Sequence, residues 1–346
     1  MDRQAARELK RELLATSSPL RAAAREDAVG AGGAVVVGVR VFGEGRYGVA
    51  VRHSGGVGAD VGARARDLAG DDADVLDIGE VRALSSAAPQ RVGAPGEERP
   101  APSGPPSGRA TPQEPGRWAA PVLQQRERPL RPGLSVAQEA VTAGTLGALV
   151  RRRADGRTYA LSNNHVLGDS DRAAEGSPVL QPGPADGGTA ADVVGALGPV
   201  VPLQVATPNV VDAALAALAD DVEVDPTYPV GAVTGTAVAD DELVVEKVGR
   251  TTGLTRGVVT AVELDGVAVS FPAGVLTFDD QVEVAGLDGA FSAGGDSGSL
   301  VYDPATARAV GLLFAGSQRG GPGGTGLTFC NPVDAVLAAL EVELLG

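Results

Sequence analysis

This 346-residue chain is poor in the side chains that usually build cross-linked or metal-bearing proteins, with one cysteine and two histidines. A single thiol, Cys330, forms no internal disulfide, which fits a reducing compartment and excludes a secreted scaffold held by cross-links. It precedes an expected helix and reads as small core filler. Two separated histidines and one cysteine have no metal-ligand spacing, so neither a metal nor another cofactor is expected. Long apolar runs are also missing. Stretches such as 34–39 and 213–219 fall well short of the roughly 20 residues that cross a bilayer. Residues 1–20 carry Arg3, Arg7, Glu8, Lys10, Arg11 and Glu12 and lack the apolar core of a signal peptide, so the cytoplasm is the expected location. Lysine occurs only at Lys10 and Lys247; with abundant arginine, alanine, glycine and valine this suggests GC-rich coding and a bacterial source.

The formal charge of −15 is unevenly placed: residues 134–346 hold 10 basic and 27 acidic side chains, a net −17. Such a surface repels phosphate backbones and anionic lipid, so neither nucleic acid nor a membrane is an expected partner. Residues 85–133 hold 11 of the 24 prolines without apolar periodicity and read as a linker, disordered or partly polyproline II, with Trp118 as its one large aromatic side chain. Ahead of it, 35–42 and 47–53 read as a hairpin, 60–68 as a helix and 75–81 as a further strand, so residues 1–84 form an expected small α/β domain. His53, closing the second strand, reads as an exposed structural histidine. Residues 134–346 are short β-rich runs between Gly, Pro and Asp turns, the texture of an antiparallel barrel or sandwich. Asp155-Gly156 marks a hairpin between 143–153 and 157–161. Further strands are expected at 192–201, 230–238, 242–248, 257–264, 267–271, 276–284, 299–302 and 310–314. A terminal helix is expected after Asn331 as cap and Pro332 as first turn.

The chemistry centres on Gly294-Gly295-Asp296-Ser297-Gly298-Ser299, where a serine sits among glycines that let the backbone bend sharply. Both histidines, His53 and His165, precede Ser297, and chain order therefore excludes hydrolases whose histidine follows the nucleophile. The G-x-S-x-G elbow is absent as well, since its last position is Ser299, and Gly168-Asp169-Ser170 has no later histidine. A serine hydroxyl needs a base near neutral pKa, and the base needs an acid to fix its tautomer. His165, just after a strand in Leu161-Ser162-Asn163-Asn164-His165, is the candidate base. Asp212 is the preferred acid because a lone carboxylate in an apolar run should be buried, and a buried charge needs a partner. Asp220, Asp221 and Asp225 are rivals in a more polar stretch. The glycine-rich run 320–326 lacks the lysine and following helix of a phosphate loop and reads as a loop at the rim of a pocket.

With the histidine after a strand, Asp212 before Ala213-Ala214-Leu215, Gly295-Asp296-Ser297-Gly298, and Gly311-Leu312-Leu313-Phe314-Ala315-Gly316 before a terminal helix, residues 134–346 resemble the trypsin-like, chymotrypsin-fold serine peptidases. More narrowly, 141–147, 161–167, 180–184 and 209–213 resemble a bacterial branch related to the plant narrow-leaf proteases, whose α/β module ends in a strand similar to 77–81. The resemblance implies a mainly β fold, a double antiparallel β-barrel with a C-terminal helix, preceded by a small α/β domain. It implies a serine endopeptidase acting on a polypeptide substrate, in which Ser297 attacks, His165 moves the proton, Asp212 holds the imidazole, and the N–H groups of Gly295 and Ser297 form the oxyanion hole. Phe291 stands where a basic-selective aspartate would, and Phe314, Ala315 and Gly316 line the pocket, which implies preference for a small or medium apolar residue. In zymogen-type relatives the equivalent of Asp296 pairs with a newly cut N-terminus, yet here the preceding region has no obvious activation sequence. A peptide-binding module without useful turnover, and an esterase using the same residues, are the alternatives. A homo-oligomer is compatible with the sequence, although no interface is readable from it.

Overall fold

Two valine-rich runs flank Gly43-Glu44-Gly45 and pair as an antiparallel hairpin, β1 (Val35–Val41) and β2 (Tyr47–His53). The computed structural model describes residues 1–26, 34–84, 116–240, 242–271 and 274–346. β1 is apolar at nearly every position and buried on both faces, so it requires cover on two sides. Helices α1 (Arg3–Glu26) and α2 (Gly56–Ala69) give one cover, with Leu13, Val61 and Ala65 clustered against Val35, Val37, Val49 and Val51. Val36 and Ala50 instead join a cluster with Ala261, Leu264 and Phe314. β3 (Ala73–Asp77) adds in parallel to β2, and β4 (Val81–Ala83) follows it. His53, at the end of β2, is half-buried rather than exposed, because its backbone carbonyl accepts from Ile78 N and α2 crosses close to its side chain.

Residues 85–115 of the expected linker lie outside the described residues, whereas 116–133 are packed. Helix α3 (Ala120–Leu123) and the following turn bury Leu123 and Leu130 in the same cluster as Leu134 and Val136. Arg131 is fully buried, bound to both carboxylate oxygens of Glu127 at 2.6 and 2.7 Å and lying 4.7 Å from the Trp118 ring centroid. The spaced leucines of this stretch are core residues that the surrounding prolines conceal.

β5 (Ser135–Gln138), β6 (Gly144–Thr145), β7 (Ala148–Arg152), β8 (Thr158–Ser162), the short helix α4 (Asn164–Leu167), β9 (Pro178–Leu180), β10 (Val193–Val200) and β11 (Ala214–Leu218) follow. The strands pair antiparallel in the order β7-β8-β11-β10-β9-β5-β6, forming a half-barrel. After the two-residue strands β12 (Thr227–Tyr228) and β13 (Gly231–Ala232) come β14 (Val244–Gly249), β15 (Gly253–Asp265), β16 (Val267–Phe271), β17 (Gly274–Phe278), β18 (Gln281–Gly286), β19 (Leu300–Asp303), β20 (Arg308–Ser317) and β21 (Thr328–Pro332). Here β14-β15-β18-β21-β20-β19 closes back on β14 with every pairing antiparallel, a six-stranded barrel. The terminal helix α5 (Val333–Leu340) then leads to β22 (Val342–Leu344), which pairs with β7 and so ties the second barrel back to the first. The protein is thus a mainly β double barrel with a C-terminal helix. Four strand expectations change: 75–81 divides between β3 and β4, 143–153 between β6 and β7, 230–238 shrinks to β13, and 276–284 breaks into β17 and β18 at a turn containing Asp280 with φ +61°. No helix among the described residues is long and apolar enough to cross a membrane.

The N-terminal hairpin does not stand apart from the second barrel. β1 pairs antiparallel with the far end of β15, and Gly38 is the point of closest approach, since a Cβ there would lie 2.7 Å from Leu264 Cγ. Arg52 is buried and forks onto Glu283 of β18 at 2.7 and 2.8 Å while also reaching Asp74 at 2.7 Å. This planar two-point pairing fixes angle as well as distance.

Candidate active site

Asp212 lies two residues before β11 and is fully buried, as expected of a lone carboxylate in an apolar run. Its Oδ2 is 2.5 Å from His165 Nδ1, and its Oδ1 accepts from the His165 backbone N–H at 3.1 Å. The carboxylate therefore grips the histidine twice, once through the ring and once through the main chain. α4 is a single turn, but it brings His165 N–H and ring to the same side of Asp212. The loop carrying Asp212 is fixed in turn: Asn163 Nδ2 donates to its carbonyl at 2.7 Å, and its N–H donates to Asn331 Oδ1 at 2.9 Å. Asn331 Nδ2 donates to Gln281 Oε1 at 2.8 Å. Asn331 was expected to cap the terminal helix; it is instead a β21 residue, and Pro332 occupies the cap. Its amide is needed across the barrel interface, where Asp212 N–H would otherwise be buried without an acceptor.

The outer nitrogen, His165 Nε2, is buried and has no hydrogen-bond partner among the described residues. The imidazole edge meets the Phe271 ring at a centroid distance of 5.7 Å. Ser297 is also fully buried and comes up from the second barrel into this region. Its carbonyl accepts from Thr145 N at 2.8 Å, and the adjacent Gly144 is packed so closely on Val166 that a Cβ would lie 2.5 Å from Val166 Cγ1. Ser297 and the helix that carries His165 thus both pack on the Gly144–Thr145 strand. The Ser297 hydroxyl donates to Phe314 O at 3.3 Å rather than to the imidazole. A buried, unsatisfied nitrogen costs about 1–3 kcal/mol.

The turn before Ser297 is held from beneath. Asp296 is fully buried, accepting from Thr251 N at 2.8 Å, Thr252 Oγ1 at 2.7 Å and Ala293 N at 2.9 Å, with Lys247 Nζ at 3.4 Å. Burial lowers the Lys247 pKa, and the Asp296 carboxylate opposes that shift. An internal lysine is therefore the cation that faces the Asp296 carboxylate. Gly295 has φ +99°, a region costly for other residues, and a Cβ would lie 2.4 Å from Thr251 Oγ1. This backbone turns the Gly295 N–H outward, where it donates to Leu84 O at 2.6 Å. Thr145 Oγ1 donates to Gly295 O at 2.9 Å and accepts from Arg250 N at 3.1 Å. The Arg250 guanidinium is anchored on Asp186.

The expected pocket residues divide into two groups. Phe291 is buried, its carbonyl accepting from Thr255 Oγ1 at 2.8 Å and its ring 5.9 Å from Lys247 Nζ. Ala315 and Gly316 lie on β20 beside β4, and Gly316 faces the Leu84 side chain, with a would-be Cβ 3.2 Å from both of its methyl carbons. Phe314 presents its carbonyl to this space, whereas its ring packs inward on Phe278 at 4.7 Å. The sequence reading missed Asn163, Lys247, Asn331 and Leu84. Lys247 carried a readable signal, one of two lysines in the chain and set in a valine-rich strand; the others depend on neighbours remote in the chain.

No protein-family model matches this chain, and no curated protein matches it. Among solved structures it is similar to Thermobifida fusca protease A, at 19% identity over 62% of this chain and 99% of that one, with a TM-score of 0.44. Nocardiopsis protease matches at 19% identity over 63% and 100%, TM-score 0.44, and Cellulomonas bogoriensis chymotrypsin at 19% over 62% and 99%, TM-score 0.42. At these values the role of each side chain rests on the geometry of this chain alone.

Proposed function

We propose that the protein is a serine endopeptidase working through Ser297, His165 and Asp212. The carrying observation is the buried His165–Asp212 pair at 2.5 Å, which leaves Nε2 as the ring nitrogen without a hydrogen-bond partner. With Nδ1 committed to the carboxylate, Nε2 is available to take the Ser297 proton as Oγ bonds to a substrate carbonyl. The charge that develops on that carbonyl oxygen meets the Gly295 N–H, already turned outward and supported by the Asp296–Lys247 contact beneath. His165 then protonates the leaving amine, and water releases the acyl group from Ser297. The Ser297 N–H is the second proposed donor to the oxyanion. Phe291, Ala315, Gly316 and the Phe314 carbonyl are the proposed substrate contacts, and an apolar side chain before the cut bond fits them. The polypeptide substrate follows from strand β20, whose edge at Ala315–Ser317 already pairs antiparallel with an extended segment of the chain, Val81–Ala83.

One observation favours a second reading, a peptide-binding module without turnover: Ser297 Oγ donates to Phe314 O and not to His165. Hydrolysis of an unfolded protein by the purified chain and by Ser297→Ala separates the two. Turnover by the wild type that the variant lacks supports the peptidase; equal, absent turnover with retained peptide binding supports the module.

A further inference from the structure

The cleft beside Ser297 is filled by the chain itself. After β3, the segment Val81–Leu84 runs antiparallel to β20, with Val81 opposite Ser317, Arg82 opposite Gly316 and Ala83 opposite Ala315. On its other edge Val81 and Arg82 pair in parallel with Val269 and Ser270 of β16. Leu84 ends this strand at the site. Its N–H donates to Phe314 O at 3.1 Å, the same oxygen that accepts from Ser297 Oγ at 3.3 Å. Its carbonyl oxygen accepts from Gly295 N at 2.6 Å. Its side chain lies against Gly316 and packs on the cluster containing Phe291, Leu313 and Cys330. A peptide held by main-chain pairing on one strand, with one apolar side chain in a pocket and the next carbonyl on an outward-turned N–H, is posed as a substrate of strand-adding type.

We infer that the chain cleaves its own peptide bond on the carboxyl side of Leu84, an inference that rests on the peptidase reading above. Ser297 Oγ leaves Phe314 O, gives its proton to His165 Nε2 and bonds to the Leu84 carbonyl carbon. The oxyanion stays on Gly295 N–H. The C–N bond to residue 85 then breaks, its nitrogen taking the proton from His165, which leaves a Leu84 ester on Ser297. Water, deprotonated by His165, attacks the ester, giving a Leu84 carboxylate and free Ser297. The new carboxylate places a negative charge on the Gly295 donor. The same pose assigns leucine, with a short apolar or arginine-containing strand before it, as the sequence class the cleft accepts from other polypeptides.

The test uses the full-length protein and its Ser297→Ala and Leu84→Asp variants, each read by intact mass and by hydrolysis of a peptide anilide ending in leucine. The expected result is a wild type split into a fragment ending at Leu84 and one beginning at residue 85, at a rate unchanged by tenfold dilution, with both variants intact. Leu84→Asp is expected to hydrolyse the anilide, because its own strand no longer fills the apolar pocket, whereas Ser297→Ala does not. A wild type that stays intact while either it or Leu84→Asp hydrolyses the anilide overturns self-cleavage and leaves the peptidase reading standing. Absence of both cleavage and anilide hydrolysis from every protein overturns both. Cleavage at another bond, cleavage of Ser297→Ala, or a rate proportional to concentration also overturns the inference.

Discussion

Asp212 illustrates how a single side chain can be read from its neighbours in sequence, because a carboxylate in an apolar run has few ways to remain charged. It fixes the His165 tautomer through Nδ1 and the position of α4 through the His165 N–H. Asp212→Asn keeps the shape but offers an amide N–H toward Nδ1, favouring the tautomer that cannot accept the serine proton. The expected loss in kcat is about 10⁴-fold with little change in melting temperature, checked by steady-state hydrolysis and thermal unfolding. Buried acids elsewhere set the alkaline limit of stability. Burial raises the pKa of the Cys330 thiol and of Tyr228, which donates to Gly147 O at 2.7 Å; burial and then Glu246 raise that of Tyr302. These groups stay protonated in the folded chain, while the unfolded chain loses their protons as pH rises past 9.0 for the thiol and 10.0 for the phenols. The unfolded state then binds fewer protons, and stability falls in that window. Lys247, with its pKa lowered, contributes the opposite slope up to 10.5. The urea midpoint is expected to decline above pH 9.0, less steeply in Cys330→Ala; parallel profiles for the two proteins would refute the thiol's share.

The elements that carry the site differ in how visible they were. The hairpin before His165 was legible because Asp155-Gly156 supplies a turn, and Gly156 has φ +68°. The valines of β1 and β2 likewise announced a hairpin. By contrast, Asn331 looked like a helix cap because Pro332 follows it, and only its contact with Asp212 reveals a strand residue. β4 was not legible: the expected strand 75–81 ends at its first residue, and nothing local tells that it seats on β20. The turn bearing Ser297 was readable from its glycines, whereas its support by Lys247 crosses from β14. That support has a measurable consequence. Lys247→Met removes the cation facing Asp296 and leaves a fully buried carboxylate with hydrogen bonds but no counter-charge. Breaking a buried pair from one side costs about 3–5 kcal/mol, so a loss of this order is expected in urea unfolding. Peptidase turnover should fall with it, because Gly295 is oriented by the same turn. A loss under about 1 kcal/mol would mean that the main-chain donors alone hold Asp296.

In the whole molecule, the two barrels and the N-terminal hairpin share connections that no single segment discloses. β1 extends the sheet of the second barrel through β15, the Arg52–Glu283 fork locks that junction, and β22 returns to the first barrel. His165 and Asp212 come from the first barrel and Ser297 from the second, so the proposed site needs residues of both barrels. Chain order alone narrowed the chemistry, since both histidines precede the serine; the joining of the N-terminal strands to the second barrel beside Ser297 was hidden by the long sequence separation between partners. Mapping the adduct of a fluorophosphonate by peptide mass spectrometry, on the wild type and on His165→Ala, tests the convergence of these three side chains. Modification of Ser297 alone, lost in the histidine variant, is the expected result. An unmodified Ser297 in the wild type, or equal labelling in both proteins, would contradict it.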